Sequence, residues 1–173
     1  MKKVKPSFYK QDALIVGPSL LGKILVRKLD NGKIFRYRIT ETEVYRGEED
    51  KACHARFGIT NRTMPLYAEG GLIYVYLCYG IHYLFNIVTG EKGKPQAVLI
   101  RGIENYNGPG KLTKALNIDL NLNKENLNTS KEIWLEEDGY QPFYKTTSRI
   151  GIDYATEPYK SIEWRFVLID KDS

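Results

Sequence analysis

Histidine and cysteine are scarce in this chain: its 173 residues include two of each, His54 and His82, Cys53 and Cys78. A four-ligand zinc site would have to borrow carboxylates, no CxxC spacing occurs, and two cysteines make no framework, so structural zinc and a disulfide scaffold are excluded. Both cysteines read as small buried hydrophobes. Ser-His-Asp and Cys-His schemes draw on the same two histidines, and Cys53 and His54, adjacent in sequence, point apart in most backbone conformations. No GxxxxGK[ST] cradles a phosphate, and GGLIYVYLCYG at 70–80 lacks the spacing of a dinucleotide fingerprint. No stretch reaches the roughly 20 consecutive apolar residues of a membrane span, and no signal-peptide apolar region follows MKKVKPSFYK. A soluble intracellular protein, cytoplasmic and without a membrane span, is the default expectation.

Tyrosine, in contrast, is abundant, supplying 13 of the 21 aromatic residues, and the net charge is +5. A hydrophobic content of 42% argues against disorder, and a chain of this length buries on the order of 70% of its unfolded surface as one domain, 1–173. The charge is uneven. Residues 1–40 hold ten Lys and Arg against two Asp and Glu, whereas residues 102–173 hold nine against twelve. If the N-terminal cations share a face they would attract a polyanion; otherwise they are a solvated surface.

Along the chain, 11–21 reads as a short helix interrupted by Gly17 and Pro18, with Gly22 as its stop. KILVRKLD and KIFRYRITETEVY are strands joined through Asn31-Gly32, a pairing typical of a type I′ hairpin turn. Counting by twos along the second strand puts Glu41, Glu43 and Tyr45 on one face and Thr42 and Val44 on the other. Residues 46–71 form a long polar excursion, which in a compact domain is functional or carries short helices. LIYVYLCY and IHYLFNIVT are strands meeting at a tight corner at Gly80, and QAVLIRGIE is a buried strand. GPGKLTKALNI is a helix, 117–131 an Asn-rich surface loop, and EIWLEED, TTSRIGI and EWRFVLI supply further strands. The fold class expected is α+β: a single mixed domain around a curved, mostly antiparallel sheet with a protruding β-hairpin and short flanking helices.

Two groups of residues carry chemical potential. Glu43 shares its strand face with Tyr45, and a carboxylate on a half-buried face needs a partner or a task, such as activating water; the alternative is a Glu held by an Arg or exposed at a sheet edge. Tyr67, Tyr74, Tyr76, Tyr79 and Tyr83 cluster, with Tyr74 and Tyr76 on one face and Tyr79 just before the turn. Aromatic walls with basic charge suit an unstacked base, and an aromatic at a hairpin tip suits a wedge between base steps. Equally, tyrosines favour strands and pack cores.

ETEVYRGEEDKACHARFG, TNRTMPLY, GGLIYVYLCYGIHYLFNIV, QAVLIRGIE, GPGKLTKALNI, RIGI and WRF resemble, in order and spacing over nearly the whole chain, the alkyladenine (3-methyladenine, or methylpurine) DNA glycosylases, and bacterial members in particular. The resemblance implies removal of alkylated or deaminated purines, of 3-methyladenine, 7-methylguanine and hypoxanthine type, from duplex DNA without metal or cofactor. It implies Glu43 as the general base, with Arg101 and the backbone carbonyl of Ile150 holding the attacking water. Tyr45, His54 and Tyr76 would enclose the flipped base and Asn86 would exclude guanine. Tyr79 would fill the vacated duplex, and Thr60, Arg62, Tyr83, Lys111 and Gly151 would lie near the DNA backbone. Thr63 and Leu84-Phe85 depart from the family pattern. No lysine stands at the Glu43 position, so a monofunctional enzyme that leaves an intact abasic site is expected, associated with the nucleoid, monomeric and without an obligate protein partner. The competing classes are a non-catalytic nucleic-acid-binding module and an enzyme acting on free nucleosides.

Overall fold

In the computed structural model, which describes residues 1–169, short helices are inserted between strands. β1 (Lys2–Lys3), α1 (Pro6–Tyr9) and α2 (Ala13–Ser19) lead into β2 (Ile24–Lys28) and the long β3 (Ile34–Arg46). β4 (Ile73–Cys78), β5 (His82–Val88), β6 (Gln96–Ile103) and β7 (Tyr106–Asn107) follow. Then come α3 (Pro109–Ala115), β8 (Ile133–Glu137), β9 (Phe143–Thr147) and β10 (Arg165–Ile169). The strands form an antiparallel sheet in the order β1-β8-β2-β3-β6-β5-β4, with β10 added on β3, β9 on β10 and β7 on β6. The class is α+β, as the strand-rich pattern predicts.

β3 is the spine of the sheet. Its first residues pair with β2, and its later ones pair with β6 on one side and β10 on the other. Register shifts between Ile39 and Thr42 bulge it midway, and a bulge bends a strand and increases its twist. Beyond the bulge, alternation divides the side chains as the sequence predicts. Thr42 Oγ1 donates to the Gly17 carbonyl of α2 and Val44 is fully buried in the main core. Glu43 and Tyr45 face the opposite way and share a hydrogen bond. The main core lies under α2 and α3, with Val16, Leu20, Ile73, Phe85, Ile100 and Leu112 among its buried members. A second cluster, built on Cys53, Leu66, Tyr74 and Ala97, covers the other face, where the 46–71 excursion packs.

Several local expectations change. Asn31 does not adopt a positive φ, so the β2–β3 connection is not a type I′ turn; Gly32 alone does, at φ 86°. The chain closes a three-residue loop instead, with Leu29 N–H donating to the Lys33 carbonyl and Gly32 N–H to the Leu29 carbonyl, the alternative in which one left-handed residue suffices. The type I′ sign pattern occurs at the β4–β5 corner, where Tyr79 (φ 53°) and Gly80 (φ 67°) are both left-handed. α2 runs through Gly17 and Pro18, because Pro18 falls in its last turn and removes a single bond there. The strand expected at TTSRIGI stops at Thr147, leaving 148–152 free to turn toward the sheet.

The Asn-rich 117–131 segment is more than a surface loop, since it buries Ile118, Leu122 and Leu127 and bonds along β4 through Glu125 and Lys124 backbone groups. Part of the basic N-terminal quarter is tied up within the protein, while Lys2, Lys3, Lys5, Lys10, Lys28 and Lys33 are exposed. Arg27 is buried on four backbone carbonyls, while Lys23, Arg36 and Arg38 pair with Glu137, Glu136 and Asp138. These three acids lie on β8 and its exit, at the end of the sheet away from β4.

Candidate active site

On the face opposite the main core, alternate residues of four strands line one cleft of about 780 Å³. Tyr45 comes from β3, Tyr74 and Tyr76 from β4, Asn86 from β5, and Leu99 and Arg101 from β6. Same-face alternation on strands explains this convergence. The excursion, which carries two single-turn 3-10 helices at His54–Phe57 and Met64–Tyr67, closes one side. The 148–155 segment closes another through Ile150, Gly151, Ile152 and Tyr154.

Glu43 lies beneath this cleft with its side chain wholly shielded from solvent. Among the described residues, its hydrogen bonds and ion pair are all with donors. Tyr45 donates its hydroxyl to Oε1 at 2.8 Å, the Ile150 N–H donates to Oε2 at 2.6 Å, and Arg101 Nη1 reaches Oε1 at 3.4 Å. Burial raises the Glu43 pKa above the ordinary 4.5, against the opposing pull of Arg101, Ile150 and Tyr45. Burial and the Glu43 charge push the Tyr45 hydroxyl well above its usual value, so it stays protonated and remains a donor. A carboxylate held this way is a strong acceptor that can take a proton from water. The Arg101 Nε is buried with no partner, an unused donor beside it.

The aromatic wall is continuous. His54 stands 4.5 Å from the Tyr76 ring centroid, and Tyr74 and Tyr76 are 5.4 Å apart. Burial, and then the Arg62 and Arg56 charges, lower the His54 pKa to about 4, leaving a neutral imidazole near pH 7. Asn86 is buried and its Nδ2 donates to the Tyr74 carbonyl. Among the described residues four cations, Arg56, Arg62, Arg101 and Lys111, line the cleft and no Asp or Glu does. At its mouth, Tyr79 projects from the hairpin tip with 90% of its surface exposed. Cys53 is buried in the second cluster, whereas Cys78 is half-buried and lines the cleft.

Thr60 and Tyr83 do not line this cleft. Thr60 trades hydrogen bonds with Thr63, which is buried and bonded to the Gly58 carbonyl, so Thr63 braces the loop. Tyr83 packs against the main core while its carbonyl accepts from Thr113. Sequence reasoning passed over Asp50 and Arg149, a buried pair at 2.7 Å that ties the excursion to the 148–155 segment. Nothing local marks two residues 99 positions apart as partners. It also passed over Tyr154, whose hydroxyl donates to the Ala52 carbonyl and whose ring faces Arg56.

Residues 7–172 match the family model for methylpurine-DNA glycosylase. Among bacterial relatives, a Borreliella burgdorferi protein is 47% identical, covering 94% of each chain. One from Desulfitobacterium hafniense is 43% identical over 98% of this chain and 97% of its own, and one from Psychrobacter cryohalolentis 40% over 98% and 93%. All three are named as proposed 3-methyladenine DNA glycosylases.

Proposed function

The chain belongs to the methylpurine-DNA glycosylase family, and from that premise we propose that it hydrolyses the N-glycosidic bond of alkylated or deaminated purines flipped out of duplex DNA. The observation that carries this reading is Glu43: a solvent-shielded carboxylate, hydrogen-bonded among the described residues by donors, beneath an aromatic cleft whose described lining holds cations and no acidic residue. Polyanionic DNA is drawn to such a lining. The damaged base is received between Tyr45 on one side and His54 with Tyr76 on the other, while Asn86 limits what fits at the purine edge. Tyr79 fills the gap left in the duplex.

In the reaction, water attacks the anomeric carbon as the C–N bond breaks, the purine leaves with the bonding pair, and Glu43 takes the proton of the water. Arg101, at 3.4 Å the loosest of the three contacts, is the side from which water reaches the carboxylate. The Ile150 N–H and the Tyr45 hydroxyl hold Glu43 in place, and the Ile150 carbonyl and Arg101 orient the nucleophile. Arg62, Lys111 and Gly151, at the cleft rim, meet the DNA backbone, with Thr60 and Tyr83 flanking. A cationic base such as 3-methyladenine leaves readily, whereas neutral hypoxanthine needs a proton in order to depart. The position of the proposed base is a glutamate and not the amine that a Schiff-base lyase needs, so the reading is of a monofunctional enzyme that leaves an intact abasic site.

The test is chromatography of bases released from methylated duplex DNA by the wild type and by Glu43→Gln, side by side. Wild type should release methylated purines with no borohydride-trapped adduct, and the variant should release none while still binding the DNA. Full activity in the variant sinks the assignment of Glu43.

A further inference from the structure

Four non-glycine residues among those described have a left-handed backbone. Two are asparagines, Asn105 and Asn117, and the others are Tyr79 at φ 53° and Lys124 at φ 73°. Asparagine visits this region readily, whereas a lysine there is held against its preference. Strain of this kind persists where the surrounding structure imposes it, and it gathers at functional sites. Tyr79 ends β4 at the mouth of the cleft, and Lys124 is pinned to the edge of the same strand, its N–H donating to the Ile73 carbonyl.

β4 is the last strand of its sheet, so one of its edges has no strand beside it. The 117–131 segment covers the start of that edge, where Ile73 N–H donates to the Glu125 carbonyl and Val75 N–H to Asn123 Oδ1. Val75 is the last residue of β4 that the segment bonds, and alternation turns the next N–H on this side, that of Leu77, outward beyond the cover. A cavity of about 370 Å³ opens there, with Asn61, Arg62, Leu77, Asn123 and Lys124 in its lining and no Asp or Glu among the described residues that line it. Arg62 and Leu77 also line the cleft, so the two spaces adjoin.

Arg62 and Lys124 are exposed, and neither pairs with a carboxylate among the described residues. Of the nearby acids, Asp119 accepts from the Asn121 N–H and Glu125 does not line the cavity. Asn123 uses its Oδ1 on Val75, which leaves its Nδ2 to donate. Ammonium, guanidinium, carboxamide and backbone N–H groups are the donors that hold phosphate oxygens.

We propose that this cavity is a phosphodiester subsite, in which Lys124 and Arg62 take the backbone of the DNA strand that enters the cleft, with Asn123 and the Leu77 N–H as further donors. The identity of that strand as damaged DNA rests on the glycosylase reading above; the phosphate subsite does not.

The experiment is a salt titration of binding to a duplex carrying a tetrahydrofuran abasic analogue, read by fluorescence anisotropy. It compares wild type, Lys124→Gln, Lys124→Asn and Lys28→Gln, the last at an exposed lysine on β2. Loss of one phosphate contact should lower the magnitude of the slope of log K against log salt by about 0.9 in both Lys124 variants, while Lys28→Gln keeps the wild-type slope. Lys124→Asn should melt no lower than wild type, because asparagine accepts the left-handed backbone. Single methylphosphonate substitutions along the duplex then locate the contact, since neutralising one phosphate should weaken the wild type and leave the Lys124 variants unaffected. Wild-type slopes in both Lys124 variants, or losses that add at every phosphate tested, overturn the proposal. Release of no base from methylated DNA by the wild type overturns the glycosylase reading instead, while the slopes and the methylphosphonate scan still decide the subsite.

Discussion

Arg149 and Asp50 meet at 2.7 Å with neither side chain reaching solvent, and the pair fastens together the two segments that close the candidate site. Asp50 also accepts from the backbone N–H groups of Arg46 and Ala52, and Arg149 donates to the carbonyls of Val44 and Tyr159. The Arg149 guanidinium lies 4.9 Å from the Tyr45 ring centroid, and the next residue, Ile150, is the one whose N–H grips Glu43. Removing one partner leaves an uncompensated buried charge. Arg149→Met should therefore cost about 3–5 kcal/mol in urea unfolding, and Asp50→Asn combined with it should cost less than Arg149→Met alone. An Arg149→Met variant as stable as wild type would remove the strut from this account.

The pH dependence of Glu43 has two readouts of opposite sense. In the proposed mechanism activity requires the ionised form, and burial places its pKa above 4.5, so excision should decline on acidification at a higher pH than an exposed glutamate would give. Tyr45→Phe deletes a donor to the carboxylate, and the acid limb should move further toward alkaline pH. For stability, a folded pKa above the unfolded value means that the native state holds the proton more tightly. The contribution of Glu43 is thus full below the unfolded value and is lost as pH rises through the folded one. Melting temperatures of wild type relative to Glu43→Gln should fall with rising pH across that window. His54 acts in the other direction: with its pKa lowered from 6.5 to about 4, it withdraws stability as pH falls between those values.

Tyr79 combines 90% exposure with a left-handed backbone at φ 53°. That conformation costs a non-glycine residue about 1–2 kcal/mol, and asparagine tolerates it better. Tyr79→Asn should keep or raise the melting temperature while slowing excision from duplex. Slower excision accompanied by a lower melting temperature would point to a structural role for the ring instead.

Gly17 touches the spine strand from behind the site. A Cβ there would stand 2.6 Å from Val44 Cγ2 and 3.2 Å from the Phe166 ring, on the residue between Glu43 and Tyr45. Gly17→Ala should destabilise by about 1–3 kcal/mol through overpacking, and Val44→Ala in the same chain should recover part of the loss. Additive losses in the double variant, measured by urea unfolding, would show that the two side chains do not compete for space.

Much of the site was legible because alternation along a strand is local. Counting by twos put Glu43 beside Tyr45 and Tyr74 beside Tyr76, and the Tyr79-Gly80 corner was visible as a break between two β-rich runs. The turn at Asn31-Gly32 was misjudged for a related reason: the dipeptide permits a type I′ turn, but the pairing of Leu29 with Lys33 leaves room for a third loop residue. The basic N-terminal quarter suggested a polyanion face because its partners, Glu136, Glu137 and Asp138, lie about a hundred residues away.

By itself the sequence determined the α+β class, the facing of Glu43 and Tyr45 and, through its motifs, the family. Those properties follow from short-range periodicity and from residue order. The tertiary structure alone decided that Ile150 N–H would meet a carboxylate 107 positions earlier, that Arg149 would neutralise Asp50, and that acids on β8 and its exit would pair with Lys23, Arg36 and Arg38. Which strand lies beside which is fixed by burial and by the satisfaction of buried polar groups over the whole chain, and neither is written in any one segment.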